Sequence, residues 1–217
     1  MASGGVGTAT IRGDNERIVP ASRLTLRRAA APLAPFEYGR RLRGFRVYLR
    51  RLALADQAEF LRLVRESRSL HHPWVAPPVG VAGFQRLLRR AQAKTVISLL
   101  VCEKRTRTIL GVFNLSQILR GDFRSAYLGY YGHAAFAAQG FMKEGLELVV
   151  RYAFAKVGLH RIEANIQAGN QRSIALVEKC GFAKEGFSPR YLKVAGRWHD
   201  HERWAITLEA WRGRPRG

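Results

Sequence analysis

Eight consecutive residues, Thr95 to Cys102, carry no charge and are apolar at nearly every position. The run is far too short to cross a bilayer, which takes about 20 apolar residues in a helix. It has the length and the β-branched content of a strand. Successive strand side chains point to opposite faces, so a strand that is apolar at odd and even positions alike needs cover on both sides. Such a strand belongs inside a sheet with helices packed on each face.

The remainder of the chain supplies those pieces in order. Phe45 to Leu49 alternates and reads as a first strand. Asp56 opens an amphipathic helix with Ala58, Leu61 and Val64 inward, which must end before His71-His72-Pro73-Trp74, where proline forbids continuation. A second helix carries Phe84, Leu87, Leu88 and Ala91 on one face. The central run pairs through a charged hairpin with Ile109 to Asn114, and Ser125 to Tyr131 is a further strand. From Gly140 to Lys156 an apolar stripe at helical spacing returns, with Gly158 placed as a left-handed cap. Ile162 to Gln167 is a strand, Asn170 the N-cap of a helix to Cys180, and Tyr191 to Val194 and Arg203 to Leu208 are closing strands. This order predicts an α/β (α+β) fold: a mixed, mostly antiparallel sheet of about seven strands flanked by helices.

Residues 1 to 44 show no sustained apolar period and contain Arg27-Arg28 and Arg40-Arg41, so they are expected to form a basic extension, mobile or loosely docked. A domain over 45–210 and an Arg/Gly/Pro tail over 211–217 complete the division. The extension is Arg-rich in the manner of an organellar transit peptide, but Asp14 and Glu16 count against that reading, and with no secretory segment the expected location is cytoplasmic. Cys102 and Cys180 sit alone in apolar stretches, without metal-ligand spacing, and read as reduced core thiols. Charge is more informative. Lys and Arg number 37 against 16 Asp and Glu, a net +21, and thirty of the 37 are Arg. Such a field suits phosphates, RNA or acidic tails, and the anionic partner need not be a polymer. An Arg skew also arises from genome composition alone, and both readings stand.

The chemistry centres on Ala138-Gln139-Gly140-Phe141-Met142, between a strand and a helix. A helix N-terminus offers unpaired N–H groups and the positive end of a dipole, and Gly140 lets a ligand approach the backbone, so the loop either binds a diphosphate or is a plain tight turn. Around it, Leu128-Gly129-Tyr130-Tyr131, Leu159 to Asn165, Asn170-Gln171-Arg172-Ser173, Cys180-Gly181-Phe182, Glu185-Gly186 and Gly196-Arg197-Trp198-His199-Asp200-His201 follow in one order with compact spacing. From about Phe45 to Leu208 this series resembles the GNAT superfamily of N-acetyltransferases, and within it the ribosomal-protein alanine N-acetyltransferases. His71-Pro73-Trp74 and Pro77-Pro78 look like the substrate-side loop of that branch.

The resemblance implies direct transfer of acetyl from acetyl-CoA to an amine, most naturally the N-terminal amine of a protein or peptide. It implies that the cofactor contacts Ala138, Gln139, Gly140, Phe141, Met142, Asn170 and Ser173. The family's Gln/Arg-x-x-Gly-x-Gly/Ala loop maps to Ala137 through Met142, where only Gly140 is retained. A backbone N–H around Tyr130 and Tyr131 is expected at the oxyanion. Many relatives place a tyrosine seven residues after the capping Asn to protonate the thiolate; Val177 stands there, which leaves Ser173 as proton donor or relay, or alternatively as a helix-start serine satisfying backbone amides. Asn170 is expected both to cap its helix and to touch the cofactor. Where a related group has a basic Glu, this chain has Asn165; Glu163, two positions earlier, is the replacement base, or else a strand carboxylate paired with Arg. His199, Asp200 and His201 read as a hairpin bordering the cleft rather than a metal site. Two other classes remain open: a small-molecule amine acetyltransferase, and a non-catalytic acetyl-CoA-binding or ribosome-associated module, kept alive by Ala137 and Val177.

Overall fold

The computed structural model describes residues 42–214. The expected extension lies outside them except for its last residues, of which Leu42–Arg43 form a short strand, β1, paired with β2 (Val47–Arg51). Helices α1 (Gln57–Glu66), α2 (Arg68–His71) and α3 (Val81–Arg90) follow, then strands β3 (Ile97–Glu103), β4 (Ile109–Ser116) and β5 (Ser125–Gly132). Helix α4 (Phe141–Tyr152) runs into a π turn closed by Gly158 at φ +76°. Strand β6 (Arg161–Gln167), helix α5 (Gln171–Lys179), strands β7 (Ala183–Val194) and β8 (Arg197–Thr207) and helix α6 (Leu208–Arg212) complete the order.

The eight strands form one sheet in the order β1-β2-β3-β4-β5-β6-β8-β7, antiparallel everywhere except between β5 and β6. β3 is buried as its sequence predicts, and its alternation splits the core in two. Leu99 and Val101 face the layer holding Leu146, Val149 and Val150 of α4, whereas Leu100 and Cys102 face Phe60, Val64 and Phe84 of α1 and α3. Each such side chain contributes about 1.5–3 kcal/mol on burial, so this two-sided packing dominates the stability of the sheet.

The closing hairpin is longer than its sequence suggests, because β7 is mostly exposed and its register breaks between Lys184 and Gly186 and again between Ser188 and Leu192, around Pro189. A strand so interrupted shows little alternation. The tail also begins later than expected. Thr207 caps α6 by accepting from the Ala210 amide at 3.2 Å, and Trp211 packs on Phe154 with ring centroids 5.6 Å apart.

One irregularity positions everything that follows. β5 and β6 are paired only over Ser125–Tyr127 and Arg161–Glu163, after which they diverge. A parallel pair that splays leaves a V-shaped gap with unused backbone groups on both arms.

Candidate active site

The gap opens into a cleft of about 910 Å³. One end is built by the loop before α4 and the start of α5, the other by α2, the end of β6 and the β7–β8 hairpin.

At the first end, Ala138 (φ +59°) and Gly140 (φ +80°) are both left-handed, and both line the cleft. Gly140 is the N-cap of α4, and no side chain caps that helix. Among the described residues no acceptor is met by the backbone N–H groups of residues 138 to 143; the first bond of the helix runs from Glu144 N to Gly140 O at 3.1 Å. Six orphan donors at the positive end of a helix dipole make an anion site. Lys143, Arg172 and Lys179 line the same end and add charge of the right sign.

A group missed in the sequence holds this loop. Arg46, just before β2, donates to Gln139 O at 3.1 Å, pairs with Glu144 at 3.3 Å and lies 4.4 Å over the Phe141 ring. Glu144 in turn accepts from the amides of Arg46 (2.6 Å) and Val47 (3.1 Å). These contacts span nearly a hundred residues of chain, so no local pattern announces them. Of the residues expected at the cofactor, Gln139 and Phe141 do not line the cleft: the Gln139 side chain turns back to Ala135 O, and Phe141 is buried against Phe136. The Met142 side chain lines the cleft.

Asn170 caps α5 as its position predicts, its Oδ1 accepting from Ser173 N at 3.2 Å. That settles which atom of Ser173 meets the cap. Its amide is used and its carbonyl accepts from Tyr130 Oη at 3.0 Å, its side chain also interacts with the Tyr130 phenol, and the residue lines the cleft.

The arm opposite is β5. His133 N donates to Leu110 O at 2.8 Å, so the alternation of the antiparallel ladder turns the backbone groups of Tyr131 toward β4 and those of Tyr130 and Gly132 toward the gap. Gly132 O is met there by His71 Nε2 at 2.9 Å. Of the two tyrosine amides expected near an oxyanion, the one facing the gap is Tyr130. Burial pushes both phenols upward, so they remain protonated at neutral pH.

Glu163 is not brought to the cleft. It lies where β5 and β6 are still paired, and its carboxylate accepts from Arg161 at 2.8 Å. Asn165 and Gln167, further along the same face, do line the cleft. Among the described residues, no cluster of His, Cys, Asp and Glu could hold a metal ion, and no helix is long and apolar enough to cross a membrane.

The acetyltransferase (GNAT) domain model matches residues 46–183. This chain belongs to the GNAT acetyltransferase family. The Probable N-acetyltransferase YjcK of Bacillus subtilis is 31% identical, over 76% of this chain and 96% of that protein. The [Ribosomal protein uS5]-alanine N-acetyltransferase of Escherichia coli is 39% identical, over 48% of this chain and 54% of its own length. Among solved structures, Mycobacterium smegmatis RimJ in complex with CoA-disulfide superimposes with a TM-score of 0.69 at 27% identity, covering 75% of this chain and 82% of that one. The GNAT donor, acetyl-CoA, fits the residues present. Its diphosphate matches the six free amides, and the buried oxygens Asn165 Oδ1 and Tyr131 Oη, both without a partner on cleft-lining residues, are left for a ligand to meet.

Proposed function

We propose that this N-acetyltransferase modifies the N-terminal amine of a protein, presented as a flexible chain end. The observation that carries the reading is that, among the described residues, no Asp or Glu lines the cleft. A polyamine acceptor carries several positive charges and binds where carboxylates neutralise them. A peptide terminus carries a single amine and can bury the adjoining backbone against Trp74, Leu192 and Val194, which line the acceptor end. The Escherichia coli relative, named for an alanine of ribosomal protein uS5, supports a protein acceptor.

Acetyl-CoA supplies an activated acetyl thioester, and this chain's residues bind, orient and move protons around it. The amides of residues 138 to 143 grip the diphosphate and so fix the depth of the thioester along the gap. The Tyr130 N–H faces the gap and meets the charge that grows on the acetyl oxygen. The Ser173 hydroxyl, beside the Tyr130 phenol, relays a proton to the departing sulfur.

The test is mass spectrometry of two acceptors after incubation with acetyl-CoA: a synthetic peptide beginning with alanine, and spermidine. The expected outcome is one added acetyl on the peptide α-amine and none on spermidine. Acetylated spermidine with an untouched peptide overturns the proposal while leaving the GNAT assignment in place.

A further inference from the structure

The family assignment leaves the proton on the acceptor amine without a destination, since Glu163 is tied to Arg161 outside the cleft and no carboxylate lines it. Three histidines line the cleft: His71, His133 and His201. Two of them hold their distal ring nitrogen on the protein. His71 Nε2 lies 2.9 Å from Gly132 O, which leaves only its proximal Nδ1 bare, and His133 Nε2 lies 3.2 Å from Glu66 Oε2. His133 Nδ1 is moreover sealed from solvent. His201 is arranged the other way round. Its proximal Nδ1 lies 2.8 Å from His199 O, a carbonyl that can only accept, so Nδ1 carries the proton and Nε2 keeps a lone pair. Nε2 has no partner within the described residues and is not a sealed atom.

We propose that His201 is the catalytic base that takes the proton from the acceptor amine. β8 places it there by register. His201 faces Gln167 on β6, and His199 faces Leu192 on β7. Strand alternation puts His199 and His201 on one face, and Leu192, Gln167 and His201 all line the cleft. The amine nitrogen forms its bond to the acetyl carbon as the carbon–sulfur bond breaks. One N–H proton passes to His201 Nε2 and from there to solvent, and the sulfur receives a solvent proton relayed through Ser173. The products are an amide and a thiol: from the neutral amine the protons balance, and from the protonated amine a second N–H proton leaves to solvent, so that one proton is released per transfer.

The surroundings keep the ring neutral before each turnover. Burial, the largest effect, lowers its pKa from the ordinary histidine value; the charge of His199 lowers it further, while the His199 carbonyl and Asp200 oppose this. Tyr191 on β7 packs at 6.1 Å between ring centroids, Gln167 on β6 is uncharged, and His71 on α2 lines the same cleft. A neutral imidazole in this setting accepts a proton at pH 7, where a free α-amine with pKa near 8 is still mostly protonated.

The proposal rests on the cleft being the transfer site and not on which amine is taken, so the experiment uses whichever of the alanine peptide and spermidine the wild-type protein acetylates. His201→Gln is expected to lower kcat roughly 10²-fold at pH 7, with calorimetric affinity for acetyl-CoA and the melting temperature unchanged. The loss should shrink as pH rises past the amine's own pKa, and added imidazole should restore part of it. An unchanged kcat, or a loss equal at every pH and untouched by imidazole, overturns the proposal. Nitrogen-15 NMR of the wild-type ring gives a second readout independent of folding of the variant or of any acceptor: Nδ1 protonated and Nε2 bare at pH 7 supports the assignment, and the reverse tautomer removes it.

Discussion

Ser173 shows how one residue divides its duties. Its amide feeds the Asn170 cap and its carbonyl takes the Tyr130 hydroxyl, so backbone bonds anchor the residue at the cleft while its side chain lies beside the same phenol. Removing the hydroxyl therefore leaves the cap intact. Ser173→Ala is expected to reduce kcat about tenfold to a hundredfold without changing acetyl-CoA affinity, as read by steady-state kinetics beside calorimetry. Equal turnover removes Ser173 from the proton path. Asn170 and Ser173 were both legible from the spacing Asn-x-x-Ser alone, because an N-cap is a local bond between residues three apart. Arg46 was not legible. Its partners Gln139 and Glu144 are distant in sequence, and an Arg at the start of a strand carries no signal of its own.

Among the elements, α4 carries the site, and its height above the sheet is set by a residue inside it. A Cβ on Gly145 would lie 2.9 Å from Phe113 Cε2 and 3.0 Å from Val101 Cγ2, both in the core. The helix gives up about 1 kcal/mol of propensity at this glycine in order to lie close to β3 and β4. Gly145→Val should cost about 2 kcal/mol through overpacking, measured by urea denaturation. It should also weaken acetyl-CoA binding, because lifting α4 shifts the amides at its N-terminus. Full stability with unaltered affinity would show that the helix can settle elsewhere. The stripe of α4 was plain in the sequence, but the reason for a glycine within it was not, since the atoms it avoids belong to two other strands.

Across the whole molecule, buried neutral histidines tie stability to pH. Burial lowers the pKa of both His71 and His201, so below their unfolded value of about 6.5 the unfolded chain binds more protons than the folded one. Stability is then full above about pH 6.5 and declines as pH falls toward the lowered folded values. Glu185, held down by the Arg161 guanidinium, contributes in a separate window below its ordinary 4.5. The melting temperature should thus drop on acidification through about pH 6, and the drop should be smaller in His71→Gln. A melting temperature that is flat between neutral pH and the carboxylate range would contradict this coupling. The same burial that costs stability in acid keeps an imidazole lone pair available at the acceptor end.

The order of the main elements, the two-sided β3, the caps at Asn170 and Gly158 and the left-handed turn at Gly140 were all determined by the sequence itself, because each depends on periodicity or on bonds between near neighbours. The tertiary structure alone decided what faces the gap. The β4–β5 ladder turned the Tyr130 amide rather than that of Tyr131 toward the gap that opens where β5 parts from β6, Glu163 stayed with Arg161 in the paired part, and the β6–β8 register brought His201 from the far hairpin beside Gln167. Register between strands distant in sequence is fixed by packing over the whole sheet, and a shift of one residue reverses which side chains a cleft receives.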